Sequence, residues 1–262
     1  MQNNNQYVLI TGATSGIGYQ LAKLFARDKY NLVLVARDPV ELDKVAAQLT
    51  DGKIKIITMA RDLFVREQAF LLYEEIKKRN LEIIILVNNA GQGLYGKFKE
   101  TDIYRELDII NLNISSLIIL TKCFLKDMVK RKNGKILNLA SIASKIPGPW
   151  QSVYHATKAF VLSFSEAIRE ECKEDGITVT ALMPGATNTD FFHKADMEKS
   201  KIVQDKDKLL DPADVAKDGY DALMAGKDKV VSGLKNKIRA SYLNLVPDAI
   251  LAHNTYERQK PK

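Results

Sequence analysis

Cysteine is nearly absent from this chain: two in 262 residues, Cys123 and Cys172, each within a helical pattern. Two thiols so placed exclude a disulfide framework and a thiolate metal centre. They fit a reducing compartment, so the expected location is cytoplasmic. Histidine is almost as scarce. His155, His193 and His253 show no ligand spacing, and no metal is expected. No apolar run reaches the roughly 18 residues of a membrane span, so no transmembrane helix is expected. The N-terminal Met-Gln-Asn-Asn-Asn-Gln has neither a basic region nor an apolar core, so no signal peptide is expected. Repeats, low-complexity tracts and Pro/Ser-rich linkers are missing too, and one domain over 1–262 is the simplest organisation.

Acidic residues are the minority, 32 against 39 Lys and Arg, and most of the +7 surplus falls late. Residues 227–262 carry eight basic and three acidic side chains. Within the basic C-terminal extension, 234–262, Leu234, Ile238, Tyr242 and Leu245 recur at helical spacing beside Lys235, Lys237 and Arg239. Pro247 should interrupt that helix, and Ile250 and Leu251 follow. A basic amphipathic helix can lie on an anionic membrane. Packing on its own domain or on another subunit is the favoured reading, with a loosely held tail as a third. No stacking aromatics interleave with the charges, so nucleic acid is not an expected partner.

Apolar segments at 7–10, 32–36, 54–59, 83–87, 134–140 and 177–183, with a shorter one at 229–232, have the length of buried strands. Helical periodicity fills the intervals: Leu21, Leu24 and Phe25 after the first, then 39–49 opened by Pro39, 63–79, 102–131, 152–174 and 211–225. This alternation predicts βαβ units, and strands apolar throughout predict a sheet covered on both faces. The expected fold is α/β, a single-domain Rossmann-type doubly wound sandwich with a central, mostly parallel seven-stranded sheet. Ligands should bind at the carboxyl ends of its strands.

Directly after the first strand comes Thr-Gly-Ala-Thr-Ser-Gly-Ile-Gly at 11–18. A glycine-rich turn feeding a helix brings backbone N–H groups and the positive end of the helix dipole to a pyrophosphate. Gly12 permits the tight turn, Gly16 close backbone approach and Gly18 helix–strand packing, with Thr14, Ser15 and Ile17 between them. The spacing is G-x-x-x-G-x-G rather than the commoner dinucleotide pattern. At the end of the second strand, Ala36 stands where an acidic residue would receive a ribose 2′-hydroxyl, and Arg37 follows. Arginine suits a 2′-phosphate, so NADP(H) is favoured over NAD(H). The plainer alternative is a turn residue pairing with Asp38 or Glu41.

Tyr154 and Lys158 are four residues apart, one turn along one helix face, with Ser141 upstream. A lysine so placed can stabilise phenolate and let the tyrosine trade a proton near neutral pH, which carbonyl reduction requires. Taken alone, the pair is also what any solvated helix face can show.

The glycine turn, the Ser141/Tyr154/Lys158 set and Asn-Asn-Ala-Gly at 88–91 together closely resemble the short-chain dehydrogenase/reductase family, over about 7–189. The resemblance implies Tyr154 as general acid in reduction and Lys158 as the group that lowers its pKa and holds the nicotinamide ribose. It implies Ser141 as the oxyanion partner. Asn111 resembles the family's fourth catalytic member, which holds a water leading from Lys158, with Asn113 as the alternative. The resemblance further implies that Asp62 and Leu63 meet the adenine, that Asn89, Ala90 and Gly91 line the adenosine ribose, and that Pro184, Gly185, Thr187 and Thr189 embrace the carboxamide. Ser15 is not basic, which leaves more of a 2′-phosphate contact to Arg37.

The expected reaction is therefore hydride transfer between NADP(H) and a carbonyl or secondary alcohol, chiefly reduction of an apolar ketone (acyl, steroid-like or aromatic). The expected substrate wall is Gln92, Leu94 and Tyr95, Pro147 and Trp150, and Phe191, Phe192 and Met197. Residues 188–210 are a candidate lid. The rival is a catalytically silent NADP(H)-binding sensor or scaffold. The family resemblance also implies a homodimer or homotetramer, joined through helices at 102–131 and 152–174.

Overall fold

The computed structural model describes residues 5–242 and 246–261. Seven strands form one sheet: β1 (Gln6–Thr11), β2 (Asn31–Ala36), β3 (Ile56–Ala60), β4 (Glu82–Asn88), β5 (Gly134–Leu139), β6 (Ile177–Met183) and β7 (Lys229–Val231). Their spatial order is β3-β2-β1-β4-β5-β6-β7, and every pair is parallel. The sheet is therefore parallel throughout. The chain reverses its direction of travel across the sheet between β1 and β4, which opens a crevice at their carboxyl ends.

Parallel strands need crossovers, and helices supply them: α1 (Gly16–Arg27), α2 (Pro39–Leu49), α3 (Arg66–Lys78), α4 (Ile103–Ile110), α5 (Ser116–Arg131), α6 (Ser152–Glu171), α7 (Phe191–Lys194), α8 (Lys201–Gln204) and α9 (Pro212–Met224), while α10 (Leu234–Tyr242) and α11 (Asp248–Gln259) follow the last strand. Local chemistry starts several of them. Asp38 accepts from the N–H groups of Val40 and Glu41 while Pro39 sits in the first turn of α2. Asp211 and Pro212 open α9 the same way, and Asp102 caps α4. Alternation along β1 sorts the core into two layers. Val8 and Ile10 pack with Leu21 and Phe25 of α1 and Leu223 of α9. Tyr7 and Leu9 pack with Leu72 of α3 and Phe124 of α5.

The segment expected as one helix over 102–131 contains a single π-turn, Asn111–Ser115, between α4 and α5. Counted through that turn, Ile103–Arg131 is long and apolar enough by composition to cross a membrane, with mean hydropathy 1.5 over its most apolar window. This corrects the expectation that no such stretch exists. Charged residues break the run, yet the window as a whole passes. Leu120, Phe124 and Met128 of this helix are buried in the core beneath the sheet.

Pro247 separates α10 from α11. Leu234 and Ile238 of α10 are exposed. Leu245 and the side chain of Tyr242 lie outside the described residues.

Candidate active site

Of the residues read from sequence as cofactor-binding, all but Gly18 and Asp62 line one cavity of about 990 Å³, at the carboxyl ends of the strands. Gly12 and Gly16 take left-handed backbone angles, φ +65° and +54°. Gly18 acts beneath the cavity: a Cβ there would fall 2.2 Å from the Gly12 carbonyl oxygen. Asn89 locks the turn, its Nδ2 donating to the carbonyls of Thr11 and Gly12 at 2.9 and 3.0 Å. Thr11 Oγ1 in turn accepts from the N–H groups of Asn89 and Ala90. No side chain caps the first turn of α1, because Ser15 makes no capping bond. Those N–H groups and the dipole of a twelve-residue helix are thus left for an anion. The cradle fits the pyrophosphate of a dinucleotide.

At the other end of the turn, Arg37 lies over the Phe64 ring, 4.9 Å from its centroid. The two acids expected to compete for it are engaged elsewhere. Asp38 caps α2, and Glu41 pairs with Lys44 at 2.7 Å. Among the described residues Arg37 makes no ion pair. Asp62 does not line the cavity; its carboxylate accepts from the Phe64 N–H at 3.1 Å.

Ser141, at the end of β5, and Tyr154 and Lys158, on α6, meet on the cavity wall. The Ser141 side chain lies beside the Tyr154 phenol and favours its ionised form. Ser141 Oγ also donates to the Pro184 carbonyl at 3.3 Å and accepts from the Ala143 N–H at 3.1 Å. Lys158 is 4% exposed, donates to the Leu139 carbonyl at 2.7 Å and lies 5.8 Å from the Tyr154 ring centroid. Burial pushes the Tyr154 phenol up to about 12, partly opposed by the Ser141 hydroxyl. Burial pushes the Lys158 ammonium down to about 8. Desolvation is the first cause of the shift at both groups.

The structure separates the two asparagines that the sequence left in competition. Neither lines the cavity, and the Oδ1 of Asn111, the preferred candidate, accepts from Ser115 Oγ at 3.5 Å. Asn113 is 2% exposed. Its Oδ1 accepts from the Gln92 N–H at 3.0 Å, and its Nδ2 donates to the Gln92 carbonyl at 2.9 Å and to Thr157 Oγ1 at 3.0 Å. A Cβ built on Gly91 would meet both Asn113 Oδ1 and Lys158 Nζ at 3.3 Å. Two residues apart on a helix point to nearly opposite faces, so only one of the pair can look toward Lys158.

The substrate wall also differs from expectation. Gln92, Phe191, Phe192 and Met197 line the cavity, but Leu94, Tyr95, Pro147 and Trp150 do not. Tyr95 stacks on Trp150 at 5.4 Å, and Trp150 meets Tyr256 of α11 at 5.8 Å. These rings seat the C-terminal helix behind the wall. Ile146, Gln151, His155, Thr255 and Gln259 line the cavity unannounced. Gln151 and His155 flank Tyr154 on one helix, and that proximity was the available signal. Thr255 and Gln259 gave none, being polar residues far along the chain. The candidate lid leaves and rejoins the body at one place: the Asn188 N–H donates to the Leu210 carbonyl and the Leu210 N–H to the Ala186 carbonyl, both at 2.9 Å.

A family model for short chain dehydrogenases matches residues 6–200. Very-long-chain 3-oxoacyl-CoA reductase from Mycosarcoma maydis is 35% identical over 181 residues, 67% of this chain and 51% of that protein. The match therefore spans about half the length of that relative. 17-beta-hydroxysteroid dehydrogenase type 3 from Rattus norvegicus is 30% identical over 264 residues, 98% of this chain and 82% of that one. Among solved structures, a short-chain dehydrogenase from Sphingobium yanoikuyae in complex with NADPH superposes with a TM-score of 0.83 at 31% identity, covering 91% of this chain and 92% of that one.

Proposed function

This chain belongs to the short-chain dehydrogenase family, and from that premise we propose that it reduces an apolar ketone with NADPH. The observation that carries the reading is the Tyr154 phenol, with Ser141 and a buried Lys158 beside it, on one cavity with the uncapped start of α1. A bound nicotinamide nucleotide supplies the hydride. Tyr154 Oη donates its proton to the substrate oxygen, and the Ser141 hydroxyl donates to the same oxygen as charge develops. The protonated Lys158, with no ion pair among the described residues, offers its charge to ribose hydroxyls and to the phenolate left behind. Asn113, the alternative to Asn111 for the fourth catalytic member, holds the loop at Gln92 against α6 through Thr157 and is our choice for that place. Arg37, stacked and without an ion pair, is the group for a 2′-phosphate, which favours NADP(H) over NAD(H).

Phe191, Phe192 and Met197 supply an apolar wall, in keeping with a ketone of acyl or steroid-like type. The Mycosarcoma maydis and Rattus norvegicus relatives carry such names. A catalytically silent cofactor sensor is not supported, since the catalytic set is intact and those relatives are named as a reductase and a dehydrogenase. The test is NADPH oxidation against a panel of long-chain 3-oxoacyl thioesters and steroid ketones. Tyr154→Phe should cut turnover by about 10²- to 10⁴-fold while the NADPH dissociation constant stays put. Equal rates for Tyr154→Phe and wild type would remove the phenol from the mechanism.

A further inference from the structure

The last helix closes one wall of the cavity. Leu251, Thr255 and Gln259 are buried at successive turns along one face of α11. Tyr256 rests on Trp150, the Tyr95 hydroxyl donates to the Gln259 carbonyl, and Ser200 bridges to Pro261. The helix is thus fixed at once to the segments that follow β4, β5 and β6. Thr255 and Gln259 line the same cavity as Tyr154.

Hydrogen-bond chemistry fixes which way the Gln259 carboxamide faces. His155 Nδ1 lies 2.9 Å from the Ile146 carbonyl oxygen, which can only accept, so in the neutral ring Nδ1 carries the proton. Nε2 is then a lone pair, and Gln259 Nε2 donates to it at 3.2 Å. Flipping the amide would set two acceptors against each other. Gln259 Oε1 therefore turns away from His155. It is buried, on a residue 3% exposed, and among the described residues it accepts from nothing. A buried donor on the same cavity wall, Gln151 Nε2, is also unmatched, so the two amides do not answer each other. Buried acceptors are normally satisfied, and an unmatched one on a binding cavity marks the place of a ligand donor.

We propose that Gln259 Oε1 is a specificity-determining acceptor, receiving a hydrogen bond from an O–H or N–H that the substrate carries away from its reacting carbonyl. This rests on the ketone-reduction reading. Two sources supply such a donor: the hydroxyl of a polycyclic hydroxyketone, or an amide N–H in the arm of a 3-oxoacyl thioester. A plain hydrocarbon ketone would leave Oε1 buried and unanswered, which lowers its affinity.

The experiment compares kcat/KM for substrate pairs that differ in the donor alone, using the whole chain with NADPH. One pair is a polycyclic ketone with and without a remote hydroxyl. The other is a 3-oxoacyl N-acetylcysteamine thioester against its S-alkyl counterpart, which lacks the N–H. Wild type should favour the donor-bearing member of one pair, and Gln259→Leu should reduce that preference about tenfold. Loss in the first pair assigns the hydroxyl, and loss in the second assigns the amide. An unchanged preference in both pairs, with wild type turning the ketones over, overturns the acceptor and leaves ketone reduction standing. No wild-type turnover of any ketone overturns that reading and this proposal together. Thermal melting and NADPH titration check that the leucine variant is folded, and Gln259→Met replaces it should it not be.

Discussion

Lys158 is a cation held 4% exposed with a carbonyl for its hydrogen-bond partner, and burial sets its pKa near 8 against an ordinary 10.5. Between those values the unfolded chain binds more protons than the folded one, so this residue's contribution to stability rises with pH from 8 to 10.5 and is lost as pH falls through 8. Replacing it should relieve a strain. Urea unfolding of cofactor-free Lys158→Met should show a gain of up to about 3 kcal/mol at pH 7 that shrinks through the window toward pH 10.5. A gain that does not vary with pH would mean the ammonium is not desolvated. At the opposite end of the cavity, Arg37 has a stacking partner but no counter-ion. Arg37→Ala should raise the NADPH dissociation constant about tenfold or more and leave NADH nearly unaffected, as read by nucleotide fluorescence. Parallel losses for both nucleotides would assign Arg37 to the adenine and not to the 2′-phosphate.

Among the elements, the π-turn at Asn111–Ser115 has the largest consequence for the site. Such turns re-aim side chains inside an otherwise regular helix. Here the buried amide is Asn113, which ties the Gln92 backbone to Thr157 one turn from Tyr154. Removing it strands the Gln92 N–H and carbonyl. Asn113→Ala is expected to lower stability by about 1–3 kcal/mol and to reduce turnover, whereas Asn111→Ala should stay within about 0.5 kcal/mol of wild type. Thermal melts and steady-state rates for the two variants side by side decide the matter, and the reverse ranking would restore Asn111. The glycine turn was legible because each of its constraints is local: two left-handed residues and one contact too close for a Cβ. The asparagine was not, because helical phase past a π-turn depends on an irregularity that apolar spacing does not record.

For the whole molecule, the carboxyl edge of the sheet is covered by two parts of the chain that interlock. The segment over 188–210 returns to where it left, through the Asn188 and Leu210 backbone bonds, and α11 packs on α8 within it. We propose that this segment is a flap hinged at one place and latched by α11. Limited proteolysis should cut within 190–210 in the free protein and more slowly with NADPH and a ketone present; identical cutting would make the segment a fixed wall. Both helices of the basic extension pack on their own domain, α10 on β7 and α11 on α8, while α10 keeps Leu234 and Ile238 exposed. Phe98, Ile103, Tyr104 and Leu107 are exposed near the start of the Ile103–Arg131 helix, and a homodimer or homotetramer covering them remains our proposal.

By itself the sequence determined the fold class, the dinucleotide turn and the Ser141/Tyr154/Lys158 set. Each is written in short-range pattern: alternation along strands, helical spacing, glycines within one turn, and two side chains one helical turn apart. Tertiary structure alone decided which asparagine is buried between the Gln92 loop and Thr157, that Tyr95 and Trp150 brace the wall from behind, and that Gln259 meets His155 across 104 positions of chain. Those outcomes depend on how separate segments are brought together around one cavity, and on desolvation there, which raised the phenol and lowered the ammonium that the sequence had paired on one helix face.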